Sequence, residues 1–193
     1  MQYLNQSDNN ERMEQMGGAI QQKVQKHGDK IYGVYIKSVL TQKVILHITE
    51  IGRNTKQNLE KKLISKNEGK CIPQGFIRPG SVNILTYTSG IVNTEYIEFN
   101  VLFECMVCHP VEGMLIECVT KMITKAGIHA EVITDDNVVP ATVFLARDHH
   151  HINEYFNSIK ENMQILVNVI GIRFELNDPV IAVVAELVKP RNK

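Results

Sequence analysis

Apolar and polar residues alternate with period two along much of the chain, the mark of strands with one buried face. Ile128, Ala130 and Val132 alternate with His129 and Glu131 after a turn at Lys125-Ala126-Gly127. The run before that turn, with apolar residues at 114, 115, 116, 118, 119, 122 and 123, does not alternate cleanly. A long coiled strand serving both halves of a small barrel reads this way, because it switches its inner face at a bulge. Three further strands are predicted over 141–146, 165–174 and 180–188, the last two joined by the turn Asn177-Asp178-Pro179, while 148–159 reads as a loop with one helical turn.

Upstream, residues 32–39 and 43–50 read as two strands, the second apolar on both faces and so expected at the centre of a sheet. A helix follows: Asn54 is placed as N-cap with Gln57 as its capping-box partner, Leu59, Leu63 and Ile64 form the apolar stripe, and Gly69 lies just past the end. Its other face carries Lys56, Lys61, Lys62 and Lys66, read as a solvated face rather than a phosphate-binding patch. Pro73, Gly75, Pro79 and Gly80 punctuate a loop, followed by a hairpin strand at 82–87 and one long strand at 95–109 that Pro110 closes. The polar stretch 1–30, with Gln, Asn and Glu clusters and Gly17-Gly18, is expected to be a disordered extension. The predicted class is mainly β (α+β): an antiparallel sheet with one helix over 31–109, then a five-stranded barrel of the oligonucleotide-binding type over 110–190, divided at Pro110.

Charge changes this picture in one respect. Lys and Arg total 21 against 21 Asp and Glu, but residues 1–109 carry 13 basic and 10 acidic side chains, and 110–190 carry 6 and 11. The barrel is therefore acidic, and few phosphate contacts are expected from it. No apolar run approaches the roughly 20 residues of a bilayer span, and the N-terminus lacks a secretory apolar core, so a soluble intracellular protein is expected. In that setting the cysteines at 71, 105, 108 and 118 read as reduced, buried thiols.

Candidate chemistry is sparse. Cys105-Met106-Val107-Cys108-His109 spells a haem-attachment pattern, but residues three apart on a strand point to opposite faces and cannot converge on one haem or metal. His149-His150-His151 reads as a polar loop rather than a metal site, and Asp135-Asp136-Asn137 as a turn. There is no phosphate-binding glycine loop, nucleophile elbow or zinc-protease helix. Neither a cofactor nor a bound metal is expected.

The order Pro110, Glu112-Gly113, the Gly127 turn and Val139-Pro140-Ala141-Thr142-Val143-Phe144-Leu145 resembles the larger stalk subunit of archaeal and eukaryotic RNA polymerases. Ile51-Gly52-Arg53, Lys62-Leu63, Glu68-Gly69-Lys70-Cys71 and Gly75-Phe76-Ile77 are similar to that family's tip helix and the loop after it. Ile165 to Ile172 with Gly171, then Val180-Ile181-Ala182, match its closing strands, so the likeness spans about residues 33–188. The resemblance implies a non-catalytic subunit whose tip domain docks near the polymerase clamp through Gly52, Arg53, Lys70, Cys71, Pro73, Gln74, Gly75 and Phe76. It implies an S1-type barrel beside nascent RNA, with Lys121, Lys125, His129, Phe144, Arg147 and His149 as contacts, and a smaller helical stalk partner packing at strand 95–109. The strand after the first barrel turn, Ala126 to Ala130, offers only His129 for base stacking, which limits RNA binding there. The divergence and the extra N-terminal segment suit a polymerase of a large DNA virus, placing the protein in a virion or viral factory, or in the nucleus if cellular. The alternative readings are a free-standing RNA-binding barrel protein of translation or RNA decay, and a redox or metal protein.

Overall fold

A computed structural model of the chain describes residues 33–134, 136–150 and 154–188. The extension expected at 1–30 lies outside the described residues, as do Asp135 and His151. The first sheet is built on two 13-residue strands, β1 (Tyr35–His47) and β6 (Tyr96–Cys108), which pair antiparallel along their whole length from Tyr35↔Cys108 to His47↔Tyr96. Between them in sequence come a 3-10 turn at Ile48–Glu50, helix α1 (Thr55–Asn67), and strands β2 (Cys71–Ile72), β3 (Gly75–Ile77), β4 (Asn83–Tyr87) and β5 (Ile91–Asn93). Strands β3, β4 and β5 line up along the other edge of β6.

Three sequence expectations fail here. Residues 35–47 are one strand, because Thr41 and Lys43 fall on its outer face while Val44 and Leu46 on the opposite face are buried under α1. That strand lies at the edge of the sheet rather than its centre, which leaves Ile45 exposed. The helix stands where expected, with Leu59 and Leu63 fully buried and Gly69 at φ +68°, but Asn54 makes no capping side-chain bond. Thr55 serves that end instead: its Oγ1 accepts the Gly52 N–H at 2.9 Å and donates to Gly52 O at 2.7 Å.

Strands β7 (Leu115–Ile123), β8 (Gly127–Val132), β9 (Ala141–Ala146), β10 (Gln164–Arg173) and β11 (Ile181–Leu187) close into a barrel in the order β10-β11-β9-β8-β7. The β7–β8 register shifts between Thr120 and Met122, the bulge the broken alternation predicts. Helix α2 (Glu154–Ser158) is the helical turn of the long loop and buries Phe156.

Each sheet has a core, and they meet at a seam. Odd-numbered residues of β6 from Phe99 to Val107 pack beneath α1 with Val44, Leu46, Leu59 and Leu63. Cys71, Phe76 and Cys108 join instead the core of Ile116, Ile128, Val143, Val167 and Val183 inside the barrel. Gly75 makes this close approach possible: at φ +129°, a Cβ there would stand 2.3 Å from Cys108 O. Sheet and barrel thereby form one compact unit.

Candidate docking surface and nucleic-acid interface

The end of the sheet remote from the barrel carries an unusual amount of exposed apolar surface. The β5–β6 turn, with Thr94 at φ 52°, puts Ile91, 63% exposed, on the face that carries Tyr96, while Val92, 66% exposed, lies on the other face opposite Ile97. Ile45 and Ile48 are also exposed at this end, where Ile48 N–H donates to Glu95 O at 2.9 Å and the His47 ring stands edge-on to Tyr96 at 5.5 Å. Gly52 and Arg53, both exposed, follow the 3-10 turn and belong to this end.

The second predicted docking segment does not. Cys71 and Phe76 are buried against the barrel, Gly75 is buried in β3, and Lys70 donates from Nζ to Ser65 O at 3.1 Å. Pro73 and Gln74 remain exposed at the β2–β3 hairpin. They line a groove of about 480 Å³ with Val39, Thr41, Lys66 and Leu176.

On the barrel, one register line runs across four strands on the outer face: Val184 opposes Phe144, Phe144 opposes His129, and His129 opposes Met122. The His129 and Phe144 rings lie 4.8 Å apart at 44°. Gly127 permits this, since a Cβ there would meet Leu145 O at 2.2 Å and the Phe144 ring at 3.0 Å. Lys121 pairs with Glu131 at 3.2 Å, and Lys125 is exposed at the β7–β8 turn. Arg147 is occupied internally, donating to Lys125 O at 3.0 Å and Thr124 O at 3.2 Å while covering the Phe156 ring at 5.5 Å. His149 is exposed. The six predicted contacts thus divide into an exposed group, Lys121, Lys125, His129 and His149, a half-buried Phe144 and a structurally engaged Arg147.

Local pattern gave no sign of two roles. His150 is buried, stacked on Phe156 at 4.7 Å, with Nδ1 bonded to Ala146 O at 2.7 Å. Thr120, at the β7 bulge, is also buried: its Oγ1 donates to Lys160 O at 2.7 Å and accepts the Met163 N–H at 2.9 Å. Thr120 is satisfied by backbone groups some 40 residues away, and His150 by Ala146 O four residues back together with the Leu187 N–H 37 residues on, which no spacing rule reports.

The thiols are structural in placement. Cys105 enters the core beneath α1 and Cys108 the core shared with the barrel, so the two sulfurs of the haem-like pattern lie in different interiors. Burial pushes the Cys108 and Cys118 thiols up to about 12 and those of Cys71 and Cys105 to about 11. Raised values disfavour the thiolate that metal binding and nucleophilic attack require.

These features define a mainly β protein with a helix-backed sheet, apolar at its exposed end, and a closed five-stranded barrel of the oligonucleotide-binding type. No family model matches the sequence. The chain is 26% identical over 152 residues to DNA-directed RNA polymerase II subunit 7 of Arabidopsis thaliana, covering 74% of this chain and 86% of that protein. It is 24% identical over 155 residues to DNA-directed RNA polymerase II subunit RPB7 of Glycine max, covering 75% and 88%. A protein of Acanthamoeba polyphaga mimivirus named as a DNA-directed RNA polymerase subunit is 25% identical over 166 residues, covering 80% and 82%. The chain is homologous over most of its length to these three proteins, the two plant ones named as seventh subunits.

Proposed function

We propose that this chain is a non-catalytic stalk subunit of a multisubunit DNA-directed RNA polymerase, holding the larger machinery through its sheet and presenting its barrel outward. The observation that carries the reading is the coincidence of homology over most of the chain with the exposed apolar end of the sheet. Ile48, Ile91, Val92 and Tyr96, with Gly52 and Arg53 beside them, form the docking surface for the large core subunits near the clamp. A subunit wedged there biases the clamp only by its difference in affinity for the open and closed states. The groove beside Pro73, Gln74 and Leu176 takes the smaller helical stalk partner. The working parts are then the sheet over 31–109 and the barrel over 110–190.

The outward line of Val184, half-buried Phe144, His129 and Met122 gives nascent RNA a narrow stacking surface, with Lys121, Lys125 and His149 around it and Arg147 holding the turn. The acidic excess of the barrel keeps that contact weak. Affinity capture of the tagged chain from native extract tests the reading: recovery of the two largest polymerase subunits supports it, and recovery of ribosomal or RNA-decay proteins in their place overturns it.

A further inference from the structure

Two side chains outside the surfaces already described fasten the sheet to the barrel. Arg78 lies in the turn after β3, where its N–H donates to Met106 O at 3.0 Å and its carbonyl accepts Ser81 Oγ at 2.6 Å. Asp136 lies 58 residues away in the β8–β9 connection. The Arg78 guanidinium meets both carboxylate oxygens of Asp136, through Nε to one and Nη2 to the other. Such a two-pronged pair fixes direction as well as distance. The same guanidinium lies over the Tyr35 ring of β1 at 5.6 Å, so one side chain joins the edge strand, the β3 turn and the barrel loop. At 35% and 29% exposure the pair is shielded from much of the screening that weakens open surface ion pairs.

A second fastening is made by backbone alone. Cys71 N–H donates to Asp178 O and Asn177 N–H donates to Cys71 O, both at 2.8 Å, joining β2 to the β10–β11 turn. The backbone clasp and the apolar seam hold sheet and barrel together along one line of contact. The Arg78–Asp136 pair adds a second, directional point of attachment between a different strand and a different barrel loop.

We propose that Arg78 and Asp136 are positioning residues that set the angle at which the barrel is carried on the sheet. The use of that angle rests on the stalk reading above; its mechanics rest on the geometry alone. The test is a distance measurement by paired spin labels on the full chain, with Lys56→Cys on α1 and Lys160→Cys on the barrel, since the native thiols are buried. The parent protein is expected to give one narrow interlabel distribution. Arg78→Ala and Asp136→Ala are each expected to broaden it at least to double its width with the far-ultraviolet spectrum retained, and the double variant to be no broader than either single one. Distributions as narrow as the parent's in both single variants overturn the proposal, as does a double variant whose broadening is the sum of the two. Asp136→Asn, nearly isosteric, gives the same reading should an alanine variant fail to fold. Failure of the chain to capture polymerase subunits refutes the stalk reading and leaves these distances unaffected.

Discussion

His150 Nε2 accepts the backbone N–H of Leu187 at 2.9 Å, across 37 residues of sequence. Strand β9 has ended at Ala146, and β11 runs past it with a donor that no strand answers. The imidazole takes the place of the missing neighbour. Because Nε2 faces a donor it must accept, the ring proton sits on Nδ1 and is donated to Ala146 O.

Replacing His150 with Ala therefore strands a buried N–H and opens a hole beside Phe156. The expected loss is about 2–4 kcal/mol in urea unfolding. A change below about 0.5 kcal/mol, the scale of neutral surface substitutions, refutes the capping role.

The thiols predict a pH dependence. Each is raised in the folded state, so folding favours the protonated form; the stability this represents is fully present below the unfolded thiol value of about 8.5. As pH rises above that value the unfolded chain ionises first, and stability falls until the folded thiols titrate at about 11 to 12. Denaturant midpoints are expected to decline from about pH 9 upward. A thiol reagent at pH 8 is expected to modify the folded protein slowly and the unfolded protein at once; prompt modification of the folded form contradicts the burial argument.

Gly127 and Gly75 make a pair of steric predictions. A methyl group at either meets a backbone carbonyl, Leu145 O at 2.2 Å or Cys108 O at 2.3 Å, and neither can retreat as a side-chain tip can. Gly127→Ala is expected to part β8 from β9 and Gly75→Ala to loosen the seam, each lowering stability by about 1–3 kcal/mol. Gly75→Ala carries the added cost of a left-handed φ. Melting temperatures equal to the parent's are the contrary result.

For the barrel face, single-stranded RNA is expected to bind weakly and to be released by moderate salt. His129→Ala or Phe144→Ala is expected to cut the residual affinity about tenfold, the equivalent of one stacked base. Substituting Glu175, at the opposite end of the barrel strands, serves as the control, and an equal loss there places the contact elsewhere.

The barrel was legible because its strands alternate and its bulge breaks the alternation where Thr120 turns inward. The long β6 announced itself by the same means. β1 was read as two strands, 32–39 and 43–50, with the polar pair Thr41-Gln42 in the gap; in the structure Thr41 is on the open face of that edge strand and Gln42 accepts from Asn67 at 2.6 Å. The helix stripe was visible and the capping was not: Asn54 holds the N-cap position without a side-chain bond, and Thr55 bonds back to Gly52, a contact that sequence preference does not report. Arg78 with Asp136, and His150 with Leu187, left no local trace: each pair joins turns or ends far apart in sequence, where neither period nor spacing operates. The docking residues split for a related reason. A motif read along the chain does not reveal that Gly52 and Phe76 lie toward opposite ends of the same sheet.

The central claim is that the exposed end of the sheet holds this protein to a polymerase. Its most direct measurement is quantitative capture of the largest polymerase subunits from native extract by the tagged chain, beside a Val92→Glu, Tyr96→Ala variant and a His129→Ala, Phe144→Ala variant. The parent and the barrel variant are expected to recover those subunits in near-equal amount, and the sheet-end variant to lose most of the recovery while keeping its fold. Undiminished capture by the sheet-end variant, or none by the parent, contradicts the account.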